Sequence, residues 1–99
     1  MIRLAVVDDH PHVAIALRAL TEATPDIRLV AESRRGNEVA ALVRKTHPDV
    51  LFLDLFIEPN FDALAVVRDL RADFPDLRIC ILSAHVEPAR VRMFLQAGV

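Results

Sequence analysis

Four side chains in this 99-residue sequence have the types and positions to handle phosphate or a metal ion: Asp8, Asp9, Asp54 and Ser83. Asp8 and Asp9 follow the apolar run Ile2-Arg3-Leu4-Ala5-Val6-Val7. Asp54 closes Val50-Leu51-Phe52-Leu53, and Ser83 closes Ile79-Cys80-Ile81-Leu82. Three carboxylates gathered in one crevice raise one another's pKa unless a cation binds among them. A hard, oxygen-seeking ion such as Mg²⁺ suits such a set, taking carboxylates, a backbone carbonyl, waters and phosphate oxygens. The plainer reading makes Asp8 a helix cap and Asp54 the first residue of a turn. Capping suits one residue here, Asp9 or His10 ahead of Pro11. It does not account for acids at two run ends and a hydroxyl at a third.

The elements that must position these groups follow from apolar patterning. The three short runs, partly β-branched and bounded by polar residues, predict strands buried on both faces. Ile27-Arg28-Leu29-Val30-Ala31-Glu32-Ser33 alternates more and predicts a less covered strand. Between them lie helical stripes: Val13, Leu17 and Leu20; Val39, Leu42 and Val43; Leu64, Val67 and Leu70; Val91, Phe94 and Leu95. Pro25-Asp26-Ile27, Pro48-Asp49-Val50 and Pro75-Asp76-Leu77 each end a helix and open a strand. Pro11 and Pro88 sit where a first helical turn begins. The expected order is β1 2–7, α1 11–23, β2 27–33, α2 36–46, β3 49–54, α3 62–73, β4 77–83 and α4 87–97. Such alternation predicts an α/β fold, a parallel sheet with helices on both faces. In these sheets ligands bind beyond the carboxyl ends of the strands, where strand order reverses. The acids and Ser83 occupy those ends.

Composition narrows the class. The chain is 54% hydrophobic and 26% charged, with a net charge of −2. Apolar runs stay far below the roughly 18 residues of a membrane span. Lys45 is the only lysine, and no dense basic stripe of a nucleic-acid binder is present. Met1 leads into a run too short for a secretory signal, and the single cysteine, Cys80, forms no internal disulfide. Together these predict one globular domain over residues 1–99 in a reducing cytoplasm.

Val6-Val7-Asp8-Asp9-His10-Pro11, Pro48-Asp49-Val50-Leu51-Phe52-Leu53-Asp54-Leu55 and Ile81-Leu82-Ser83-Ala84-His85 resemble the receiver domain of two-component response regulators. The Asp-Asp-His-Pro opening resembles the NarL/FixJ subfamily, whose members usually carry a LuxR-type helix-turn-helix output domain. The resemblance implies a flavodoxin-like, doubly wound sheet and a set of roles. Asp54 is the implied phosphoacceptor, attacking the phosphohistidine of a histidine kinase. Asp8, Asp9, Asp54 and the backbone carbonyl of Phe56 are the implied Mg²⁺ ligands, with Ser83 bonding a phosphoryl oxygen. Phe56 and His85 fall where the family tunes dephosphorylation. Phosphorylation and dephosphorylation at Asp54 are the only reactions implied, and DNA binding belongs to an output domain outside these residues.

The sequence departs from the family pattern in the loop after Asp54. Ile57-Glu58-Pro59-Asn60-Phe61-Asp62-Ala63-Leu64 puts proline one position late and Ala63 where the family has glycine. A positive φ is costly there without glycine, so the loop is expected to be rerouted or mobile, with Asp54 keeping its place. The family's active-site lysine, its fifth strand and α5 are expected beyond Val99, and Lys45 on α2 cannot stand in. The expected order is therefore 2-1-3-4, with β4 an apolar edge that invites self-association through β4 and α4. Weak or uncoupled phosphorylation is expected without the lysine. Two other readings compete: a degenerate receiver acting only as an interaction module, and an unrelated nucleotide or flavin binder. With only Gly36 and Gly98, and no Gly-rich turn after β1, the last is remote.

Overall fold

The computed structural model describes residues 1–55, 61–82 and 87–99. Its elements are β1 (Ile2–Val7), α1 (Pro11–Glu22), β2 (Ile27–Ser33), α2 (Val39–Thr46), β3 (Val50–Asp54), α3 (Ala63–Asp73), β4 (Arg78–Leu82) and α4 (Pro88–Ala97). The expected boundaries hold to within a residue except at α2. There Gly36–Glu38 forms a 3₁₀ turn before the α-helix starts. The four strands are parallel and ordered β2-β1-β3-β4, as the sequence predicts.

Strand order and the right-handed crossover rule assign the helices to faces. The step from β1 to β2 runs one way across the sheet, and the steps from β2 to β3 and β3 to β4 run the other. Right-handed crossovers therefore put α1 on one face and α2 and α3 on the opposite one. The α4 helix packs beside α3.

The register sorts side chains into two faces. Ala5 aligns with Leu51 and Ile79, and Val7 with Leu53 and Ile81. This row meets Val39 and Val43 of α2, Val67 and Leu70 of α3, and Phe94 of α4 in the main core. The opposite row runs Leu4, Val50, Arg78 and Val6, Phe52, Cys80. Leu4 and Val6 are buried, Val50 and Phe52 half-buried, and Cys80 exposed. The expected burial of the 79–82 run on both faces is thus corrected: among the described residues no strand follows β4 in the sheet, α1 packs on β2 at the far side, and only Ile79 of β4 is fully buried. Two helical stripes are corrected as well. The α1 helix buries no residue, and Leu20 is 64% exposed. In α4 only Phe94 is buried, while Val91 and Leu95 face out.

Local signals close the elements. Asp62 caps α3, its Oδ1 accepting the Ala65 N–H at 3.1 Å. Ala63 is the first residue of that helix and is not among the positive-φ residues, so no strained turn forms at it. The rest of the expected rerouted loop, 57–60, lies outside the described residues. Gly36 is required by packing: a Cβ there would lie 2.2 Å from the Phe61 ring. Gly98 ends α4 at φ 106°, with the Val99 N–H reaching Phe94 O at 3.1 Å.

Candidate functional site

β1 and β3 are neighbours whose onward connections leave in opposite directions, so their carboxyl ends flank the switch point of the sheet. The backbone of Asp8 is held in line with β1 by its N–H donating to Ser33 O at 3.0 Å. Asp54 is the last residue of β3, paired with Leu82 of β4. Both carboxylates are buried, at 7% and 5% exposure, whereas Asp9 and His10 are exposed. The three acids that the sequence singles out are thus brought together. Ser83 and Phe56, the two other residues expected at the site, lie outside the described residues, as does His85. The end of β4 at Leu82 nevertheless brings the chain to the same edge of the sheet as Asp54.

His10 is the participant that sequence reasoning missed. Read as a possible cap, it stands at the N-cap of α1 without any side-chain capping bond. Its imidazole turns instead into the acids. Nδ1 lies 2.8 Å from Asp8 Oδ1, 3.0 Å from Asp9 Oδ1 and 3.7 Å from Asp54 Oδ2. Its backbone N–H also donates to Asp8 Oδ1, at 2.7 Å. That bond closes a tight Asx-type turn from Asp8 to His10. The turn and the fixed φ of Pro11 at the start of α1 are what aim the ring back toward the strand ends. The Asp-Asp-His-Pro run carries this signal, in the form of a histidine held between two acids and a proline.

Electrostatics follow from the distances. The His10 pKa is raised above its ordinary value, first by the hydrogen bond with Asp8 and then by the charge of Asp9, with Asp8 and Asp54 adding to it. The ring nitrogen thus faces all three carboxylates, and each of them favours its protonated form. One oxygen from each acid and one nitrogen from His10 all lie within 4.8 Å of one another. A compact set of oxygen donors, two of them on buried carboxylates, fits a hard divalent ion.

Residues 4–99 match the family model for the response regulator receiver domain. The chain belongs to the response regulator receiver family. It is 32% identical over 98 residues to the transcriptional regulatory protein LiaR of Bacillus subtilis, covering 99% of this chain and 46% of LiaR. The chain therefore spans less than half the length of that relative. Among solved structures, a LuxR-family two-component response regulator from Aurantimonas superposes with a TM-score of 0.85 at 33% identity, over 99% of this chain and 69% of that one. The signal receiver domain of NarL from Mycobacterium tuberculosis gives a TM-score of 0.85 at 31% identity, over 98% and 77% of the two chains. The flavodoxin-like receiver fold and the likeness to LuxR-family regulators agree with the expectation from sequence. No helix among the described residues is long and apolar enough to cross a membrane.

Proposed function

We propose that residues 1–99 form a phosphoacceptor domain in which Asp54 takes a phosphoryl group from the phosphohistidine of a histidine kinase in the cytoplasm. The observation that carries this reading is the convergence of Asp8, Asp9 and Asp54 at the ends of adjacent strands. A carboxylate oxygen of Asp54 attacks phosphorus as the phosphorus–nitrogen bond to the kinase histidine breaks, its electron pair leaving with the imidazole. Asp8, Asp9, Asp54 and the Phe56 carbonyl would hold Mg²⁺, which when bound neutralises the phosphoryl oxygens and fixes them for in-line displacement. Asp54 is pre-positioned by its place in the β3–β4 ladder, so little reorganisation is needed for attack. Ser83 donates its hydroxyl to a phosphoryl oxygen. The output would be a DNA-binding domain outside this chain, and LiaR, a transcriptional regulatory protein of about twice the length, supports that arrangement.

Incubation with Mg²⁺ and a small-molecule phosphodonor, followed by intact-mass measurement, tests the reading. A single phosphoryl adduct is expected, absent in Asp54→Asn.

A second reading has its own observation. Among the described residues β4 is the last strand of the sheet, and the exposed Val91, Met93 and Leu95 lie on the α4 helix that follows it. An unprotected apolar edge favours pairing with another chain. On this reading two copies associate through β4 and α4, with or without phosphorylation. A strictly monomeric species in light scattering at high concentration contradicts it.

A further inference from the structure

We propose that His10 supplies a nitrogen ligand to the divalent ion of the acid pocket, so that the pocket favours transition ions over Mg²⁺ more strongly than its carboxylates alone would. The inference rests on the metal pocket of the preceding reading and adds a donor of different chemistry to it. The spacing of the donors carries it. Adjacent ligands of an octahedral ion with bonds of about 2.1 Å lie about 3.0 Å apart. Nδ1 stands 2.8 Å from Asp8 Oδ1 and 3.0 Å from Asp9 Oδ1, both close to such an edge. Its 3.7 Å to Asp54 Oδ2 falls between the separations of adjacent and opposite ligands. The nitrogen and one oxygen of each acid, all within 4.8 Å of one another, are close enough to share one ion.

The side chain is free to serve. It is 59% exposed and makes no side-chain capping bond; its ring meets His12 edge-on at 5.6 Å, and among the described residues its Nδ1 contacts are Asp8, Asp9 and Asp54. A nitrogen that binds the ion must carry no proton, so any proton on Nδ1 leaves to solvent when the ion binds. Imidazole is a good ligand for Co²⁺, Ni²⁺ and Zn²⁺ and a poor one for Mg²⁺, which prefers oxygen. A mixed set of three carboxylates and one imidazole is thus biased toward the transition ions.

Calorimetric titration of the wild type and His10→Ala with Co²⁺ and with Mg²⁺ tests the assignment. The ratio of Co²⁺ to Mg²⁺ affinity is expected to fall in His10→Ala by roughly tenfold or more, the scale on which altering a metal site's ligand shell shifts affinity. Mg²⁺ binding retained by His10→Ala shows that the pocket is intact. Proton NMR of the Co²⁺-loaded wild type gives the direct signature: a hyperfine-shifted, exchangeable imidazole N–H resonance, missing from His10→Ala. Mg²⁺ binding with an unchanged ratio and no such resonance overturns the ligand role and leaves the acid pocket standing. Binding of neither ion by the wild type overturns the pocket and the ligand together.

Discussion

The two faces of the sheet are built from the same strands and end in very different states. On one, Ala5, Val7, Leu51, Leu53 and Ile79 are sealed under α2, α3 and α4. On the other, burial falls from Leu4 and Val6 through half-covered Val50 and Phe52 to exposed Cys80. The difference is one of helices: among the described residues three lie over the first face and α1 alone over the second. The acid pocket sits at the strand ends where the faces meet. Buried charge needs polar partners, and His10 supplies them here, its backbone N–H bonding Asp8 at 2.7 Å and its ring approaching Asp54 at 3.7 Å. The larger share of the buried side chains thus lies on one face, and the three acids gather at the strand ends.

The strongest way to break this contrast is a paired truncation. Leu53→Ala removes a fully buried side chain from the sealed face and is expected to cost about 2–5 kcal/mol. Cys80→Ala, one strand away on the open face, should change stability by less than about 0.5 kcal/mol. Urea unfolding of both variants checks the pair, and equal costs would contradict the asymmetry.

The strand ends give the next largest effect. Mg²⁺ at about 100 times its dissociation constant should stabilise the fold by about 2.7 kcal/mol, seen as a raised melting temperature. The shift should vanish in Asp9→Asn, whose carboxylate is exposed and carries no core packing. A smaller effect belongs to the open edge. Cys80→Lys places a charge in the middle of β4 and should shift any dimer toward monomer in sedimentation, with stability nearly unchanged.

The smallest effect is at His10. Its raised pKa means that the contact with the acids stabilises the metal-free fold below the unfolded-state value of about 6.5. That contribution is lost as pH rises through the folded-state value. NMR titration should place the His10 pKa above 6.5 in the wild type and lower in Asp9→Asn.

Strand and helix positions were legible from the sequence because proline and apolar runs mark them directly. Pro48-Asp49 opens β3 and Pro75-Asp76 opens β4, and the observed boundaries follow. The convergence of Asp8, Asp9 and Asp54 was legible too, since parallel strands present their carboxyl ends on one edge. Burial was less legible. Cys80 sits in a run composed like a central strand, and the Val91 and Leu95 stripe looks like a core face. Both are exposed because burial depends on which neighbour lies alongside, a property of the whole sheet and not of the local run. The turn of His10 into the pocket was hidden for a related reason. Its direction depends on the Asp8 to His10 backbone bond, which spacing alone does not reveal.

The most direct test of the central claim is the intact mass of the protein after exposure to Mg²⁺ and a phosphodonor. The account predicts one phosphoryl adduct on the wild type, mapped to Asp54 by peptide fragmentation and lost in Asp54→Asn. An adduct that persists in Asp54→Asn, or the lack of any adduct where Mg²⁺ binding is measured, would contradict it.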